Sequence, residues 1–121
     1  MYETLTTTQN LRGARVVDIR GEIDIATADA LGERLDQAAD GADFLVVSLA
    51  ECPYIDSSGL RVLVRMSREL GPSFAVVVPP STQTRRIFDI TGLAHQMDVF
   101  DSVDEALESM EGAPGASSAA L

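Results

Sequence analysis

The chain has 121 residues, 45% of them hydrophobic, and a formal net charge of −10 from 19 acidic and 9 basic side chains. That length suits one domain with a real core, and the acidic balance argues against a nucleic-acid backbone or an anionic membrane surface as partner, since both attract basic patches. No stretch approaches the roughly 20 consecutive apolar residues that span a bilayer, and the N-terminus lacks the basic-then-apolar order of a secretory signal, so a cytoplasmic protein is expected.

Residues 2–9 carry threonines and alternate loosely, residues 10–13 are turn formers, and residues 14–19 are an apolar run. Together they predict a hairpin of two strands. Gly21 ends the second strand. Thr27 is a candidate cap for a helix whose apolar positions Ala30, Leu31, Leu35, Ala38 and Ala39 recur at helical spacing, with Asp40-Gly41 as its stop. Residues 44–49 are almost continuously apolar, as expected of a strand covered on both faces. After the irregular link at Cys52-Pro53, Leu60, Leu63, Val64, Ser67 and Leu70 mark one face of a helix and Arg61, Arg65 and Arg68 another, ended by Gly71-Pro72.

The pattern then repeats. Residues 74–78 read as a buried strand, Pro79-Pro80 as a break, residues 82–89 as a short helix, and Gly92 as its C-terminal cap. A last strand over 97–100 leads to Ser102-Val103-Asp104-Glu105, which has capping-box spacing ahead of a helix over 106–110. Residues 112–121 after this are almost entirely Ala, Ser, Gly and Pro and predict a disordered tail, leaving a domain over 1–111. Strands alternating with helices imply an α/β fold: a mostly parallel mixed sheet, its first strand antiparallel, flanked by about four helices. Binding sites in such sheets gather beyond the carboxyl ends of the strands, where Gly21-Glu22-Ile23-Asp24 and Asp56-Ser57-Ser58-Gly59 should both fall.

Few groups are available for catalysis. Cys52 is the only cysteine and His95 the only histidine, which excludes an intrachain disulfide and a multi-cysteine or multi-histidine metal site within one chain and makes a buried free thiol the expectation. All the basic residues are arginines, so a phosphate-cradling Gly-x-x-x-x-Gly-Lys loop cannot occur, and Gly-x-Ser-x-Gly is absent as well. A response-regulator receiver, similar in size and layout, would need a lysine near its last strand. The chain reads as a non-enzyme without cofactor or metal.

The stretch Asp56-Ser57-Ser58-Gly59-Leu60 sets an acid and two hydroxyls at a strand-to-helix junction. A helix start exposes unpaired N–H groups and the positive end of the macrodipole, so a serine there either caps the helix or carries a phosphate on those free N–H groups. Its chemistry alone does not separate the two readings, nor Ser57 from Ser58.

Gly21-Glu22-Ile23-Asp24 with Thr27, then Asp56-Ser57-Ser58-Gly59-Leu60, then Arg86-Ile87-Phe88-Asp89-Ile90-Thr91-Gly92-Leu93, in this order and at these separations, resemble the STAS domain of bacterial anti-sigma factor antagonists over about residues 2–110. The resemblance implies a switch: the unphosphorylated antagonist binds an anti-sigma factor of the histidine-kinase-like ATPase fold and so frees a sigma factor. That anti-sigma factor doubles as a serine kinase for the serine after the motif aspartate, here Ser57, and a PP2C-type phosphatase reverses the modification. It also implies a partner surface of Asp24, Ile25, Thr27, Asp56, Ser57, Ser58, Gly59, Leu60 and Arg61, with Asp24 across from the phosphosite, and leaves Ser58 as the expected helix cap. One departure stands out, since the family often has glycine where this chain has Arg61, four positions beyond Ser57. The alternative within the same fold is a STAS scaffold or regulatory subunit of a transporter or stressosome-like complex without sigma control.

Overall fold

The computed structural model describes residues 5–111; the expected tail at 112–121 and the first residues of the first expected strand lie outside them. Strand β1 (Leu5–Leu11) turns into β2 (Ala14–Arg20) through Arg12-Gly13. Both turn residues have positive φ, 52° and 81°, the requirement of a tight turn whose twist matches the strands it joins. The turn is thus shorter than the sequence suggests, and Asn10 stays in the ladder opposite Arg15.

Helix α1 (Ala28–Ala39) then leads to β3 (Leu45–Glu51), α2 (Ser57–Leu70) to β4 (Phe74–Val77), and α3 (Gln83–Thr91) to β5 (Asp98–Phe100), with α4 (Val103–Glu111) last. The sheet order is β1-β2-β3-β4-β5, with only β1 antiparallel to its neighbour. A parallel sheet wound in one direction through right-handed crossovers puts every crossover helix on the same face. Accordingly Val17, Ile19, Val47, Leu49 and Val76 point into one core with Leu31 and Leu35 of α1, Leu63 and Met66 of α2, and Phe88 of α3. The alternate residues Val16, Val46, Ala75 and Val77 meet Ala106, Leu107 and Met110 of α4 on the opposite face. Two covered faces explain why the sequence of β3 and β4 shows no polar alternation.

Helix ends follow local chemistry. Thr82 accepts from Arg85 N–H at 3.1 Å and caps α3, and Gly92, at φ 76°, closes it in the left-handed region. Ser102 accepts from Glu105 N–H at 3.2 Å, while Glu105 reaches Asp101 N–H at 3.4 Å, one residue outside the usual box. Between helices, Arg65 of α2 pairs with Asp36 of α1 at 3.1 Å and with Glu69 at 3.2 Å. Arg85 joins the ends of β4 and β5 by donating to Val78 O at 2.7 Å and Asp101 Oδ1 at 2.8 Å.

Beyond their carboxyl ends β2 and β3 part and meet again. The register slips between Asp18 and Arg20, where Leu49 and Ala50 of β3 face the single residue Ile19 of β2. Gly21, at φ 103°, takes a conformation open to glycine, and Ile23 and Ile55 re-form an isolated parallel bridge. Ile23 N–H donates to Tyr54 O and Asp56 N–H to Ile23 O, each at 3.0 Å. Both isoleucines are buried, and the first turn of α2 lies directly on them: a Cβ at Gly59 would stand 2.6 Å from Ile23 Cγ2 and 2.6 Å from Ile55 Cγ1. Beside this junction Cys52 is buried, with its thiol donating to Tyr54 O at 3.3 Å, and its carbonyl accepts from the buried Thr84 hydroxyl at 2.9 Å. Burial is the main cause that pushes the Cys52 pKa from 9.0 up to about 11.

Gly59→Ala should lower stability by about 1–3 kcal/mol through overpacking, although alanine is the better helix former. Gly32→Ala is the control, because a Cβ there meets only the far end of Arg65 at 3.2 Å, and thermal melts should show it neutral or stabilised. For Cys52, an aromatic disulfide reagent at pH 8 should label the native protein slowly and the denatured chain at once. A thiol whose folded pKa is raised favours the folded state below pH 9 and loses that contribution as pH rises from about 9 to about 11. Over that interval the wild-type melting temperature should fall more steeply than that of Cys52→Ala; parallel curves would mean the thiol titrates freely.

Candidate functional site

The isoleucine bridge puts two short acidic turns side by side, one opening α1 and the other α2. In the second, Asp56 has extended backbone, φ −97° and ψ −175°, and its Oδ1 accepts from Ser58 N–H at 2.8 Å and Gly59 N–H at 3.3 Å. Its carbonyl accepts from Leu60 N–H at 3.0 Å. Asp56 is therefore the cap of α2, in place of Ser58. The helix begins at Ser57, three residues before its apolar periodicity becomes visible. This corrects a second expectation as well: of the four N–H groups that a helix start leaves without an intrahelical partner, those of Ser58 and Gly59 are taken by the Asp56 side chain and that of Asp56 by Ile23 O, so these are not free for a phosphate.

In the first turn the roles are again shifted by one side chain. Asp24 Oδ1 accepts from Ala26 N–H at 2.9 Å and Thr27 N–H at 3.2 Å, while the Thr27 hydroxyl accepts from Asp24 N–H at 3.0 Å. Thr27 occupies the position before α1 but has helical backbone, φ −110° and ψ −12°, and makes no side-chain cap bond. A capping hydroxyl needs extended backbone to reach forward into the first turn. Asp24 and Thr27 thus brace each other across one turn and hold Ile25 at its crest, 80% exposed.

Among the expected site residues, Ser57 and Arg61 are exposed, Ser58 and Leu60 half-buried, and Gly59 buried as the packing contact. Ser57 and Ser58 open onto different surfaces. A groove of about 730 Å³ between α2 and the end of α3 is lined by Ser57, Leu60, Val64, Thr91 and Leu93, with Arg61 and Arg68 among its cations. A second groove, between the start of α1 and α2, holds Ile25, Ser58, Val62 and Arg65. Arg61 lines both and forms the ridge between them.

Ile90, on α3, is 76% exposed and was not singled out from the sequence, where an isoleucine in a short helix reads as core. Because the strand order never reverses, the carboxyl edge has no switch-point crevice of the kind that holds nucleotides in doubly wound sheets. The two acidic turns instead present an exposed serine, Ser57, and an exposed isoleucine, Ile25. Among the described residues no three His, Cys, Asp or Glu side chains converge as a metal site, and no helix is long and apolar enough to cross a membrane.

A family model of the STAS domain matches residues 6–106. An anti-sigma-F factor antagonist, RsfB, of Mycobacterium tuberculosis is 36% identical over 103 residues, covering 83% of this chain and 84% of that one. An anti-sigma-B factor antagonist of Bacillus subtilis is 37% identical over 86 residues, 69% of this chain and 78% of that one. In solved structures, an anti-sigma factor antagonist from Mycobacterium paratuberculosis superposes with a TM-score of 0.81 at 31% identity over 88% of this chain and 93% of that one. The antagonist SpoIIAA in its unphosphorylated form shares the fold, with a TM-score of 0.67 at 19% identity over 93% of this chain and 98% of that one. The three motifs in register, the five-stranded sheet with its antiparallel first strand, and these relatives agree: the chain belongs to the STAS domain family.

Proposed function

We propose that this protein is an anti-sigma factor antagonist that, unphosphorylated, docks on an anti-sigma factor of the histidine-kinase-like ATPase fold and thereby releases a sigma factor. The observation that carries this reading is the exposed Ser57 hydroxyl at the first position of α2, directly after Asp56, with Arg61 lining both its groove and the neighbouring one that holds Ile25. The named relatives supply the class of partner.

In the switch, the partner acts as a kinase. The Ser57 oxygen forms a bond to the γ-phosphorus of ATP, the bond from that phosphorus to the β,γ-bridging oxygen breaks, ADP leaves, and the serine proton passes to a base on the kinase. The product gains about −1.5 to −2 charges on a chain that already carries −10. The fold accommodates this, since Ser57 is exposed and packs no core residue. An interface matched to a neutral hydroxyl does not, because like-charged or unpaired groups at an interface cost several kcal/mol. A PP2C-type phosphatase restores the docking form.

Incubation with ATP and each anti-sigma kinase of the same genome, followed by mass spectrometry, should place one phosphate on Ser57. Ser57→Ala should abolish it and Ser58→Ala should not. Failure of every such kinase to modify the protein, together with wild-type binding by Ser57→Asp, would refute the switch. Ile25→Ser should weaken anti-sigma binding about tenfold or more, in the range of an exposed apolar anchor, with an unchanged melting temperature. Undiminished affinity would remove Ile25 from the interface.

A further inference from the structure

The phosphate proposed for Ser57 would find the usual anion site of a helix start taken. The Asp56 side chain holds the N–H groups of Ser58 and Gly59, Ile23 O holds that of Asp56, and the Asp56 carboxylate brings its own negative charge next to the modified residue. The bridge between Ile23 and Ile55 sets Asp24 on the adjoining turn, adding a second carboxylate. Beyond the N–H of Ser57 itself, compensation has to come from a side chain.

Three arginines line the groove onto which Ser57 opens, and they are not equivalent. Arg65 is held by Asp36 and Glu69 at 3.1 and 3.2 Å, and it stands eight residues, about 12 Å, along the helix from Ser57. Arg68 is eleven residues away, about 16 Å. Arg61 is exposed, has no ion-pair partner among the described residues, and follows Ser57 by four residues on the same helix face. Side chains on a helix lean toward its N-terminus, which carries the Arg61 guanidinium back over the first turn.

Resting on the phosphorylation reading above, we infer that Arg61 is the phosphate clamp of this protein: a positioning residue that folds back onto phosphorylated Ser57 and leaves the groove between α2 and α3. Phosphorylation then changes the docking surface twice, adding a dianion at one end of the groove and withdrawing a cation from its rim. An acidic partner segment seated against Arg61 in the unmodified protein would lose its counter-charge at the moment it gains a like charge.

The test uses the full chain with phosphoserine incorporated at position 57 during translation, so that no kinase is needed, and follows the phosphate by 31P NMR. The second ionisation of phosphoserine lies near pH 6. In Arg61→Gln it should move up by about half a unit relative to the unsubstituted protein, the size expected of an exposed ion pair. Arg61→Lys should restore part of the shift and Arg68→Gln should leave the titration unchanged. The other charges around the site, Asp24, Asp29, Asp56, Arg65 and Glu69, are the same in all four proteins. Coincident titrations of Arg61→Gln and the unsubstituted protein would overturn the clamp, and so would an equal shift in Arg68→Gln, which would assign the effect to the general field of the groove. If kinases fail to modify Ser57 while this titration shows the clamp, it is the sigma-switch reading that falls.

Discussion

The contact on which the site depends is the seating of Gly59 on Ile23 and Ile55. Two chain segments leave neighbouring strands, separate at Gly21 and at the irregular link after Glu51, and are rejoined by one bridge whose two side chains are buried. The missing Cβ of Gly59 lets the first turn of α2 rest on that bridge at a separation no other residue permits. This packing fixes the height and azimuth of α2 relative to the turn that opens α1. The turn of Asp24 and Ile25 therefore lies beside the turn of Asp56 and Ser57 although more than thirty residues separate them in sequence. A serine on a rigid, shallow ridge is well suited to recognition by another protein, where backbone displacement of even an ångström would degrade complementarity.

Once α2 is so placed, Asp56 determines the electrostatics of the ridge. A carboxylate in extended backbone outcompetes a neighbouring hydroxyl for the first-turn amides, because its charge-assisted bonds are the stronger and its oxygen reaches both Ser58 and Gly59 N–H. The macrodipole is thereby answered before any modification occurs. Ser57 is left with no structural duty in its side chain, the condition under which a hydroxyl can gain and lose a phosphate without loosening the helix that presents it.

Much of this was legible in the sequence. The alternation of strands and helices, the double coverage of β3, the Ser102 contact with Glu105 and the terminating Gly92 all follow from local rules. The three motifs in register carried the family. What escaped was decided between adjacent residues by backbone geometry. Asp56, with extended ψ, caps α2 in place of Ser58, and Thr27, with helical ψ, leaves the bonds of its turn to Asp24. The beginning of α2 was hidden for a related reason: its first turn is polar and glycine-containing, so apolar periodicity only registers from Leu60. The exposure of Ile25 and Ile90 is tertiary, because it depends on which side of its turn or helix is left uncovered by the rest of the fold.

The helix arrangement explains why the surface is one-sided. Unidirectional winding commits α1, α2 and α3 to a single face, so their starts, with the turns that cap them, line one edge of the molecule, while α4 alone seals the other face. The Arg65–Asp36 pair ties α2 to α1 and Arg65 also pairs with Glu69 along α2, leaving Arg61 as the groove arginine nearest the serine in sequence. Exposed ion pairs contribute under about 1 kcal/mol each, too little to reshape a core stitched by the isoleucine bridge. Under the proposed switch they would be large enough, however, to alter a docking surface through a phosphate on Ser57 and an arginine turned toward it. Under the switch proposed above, the consequence of modification would be a change in the charge pattern that the partner meets, with the core of the fold left as it is.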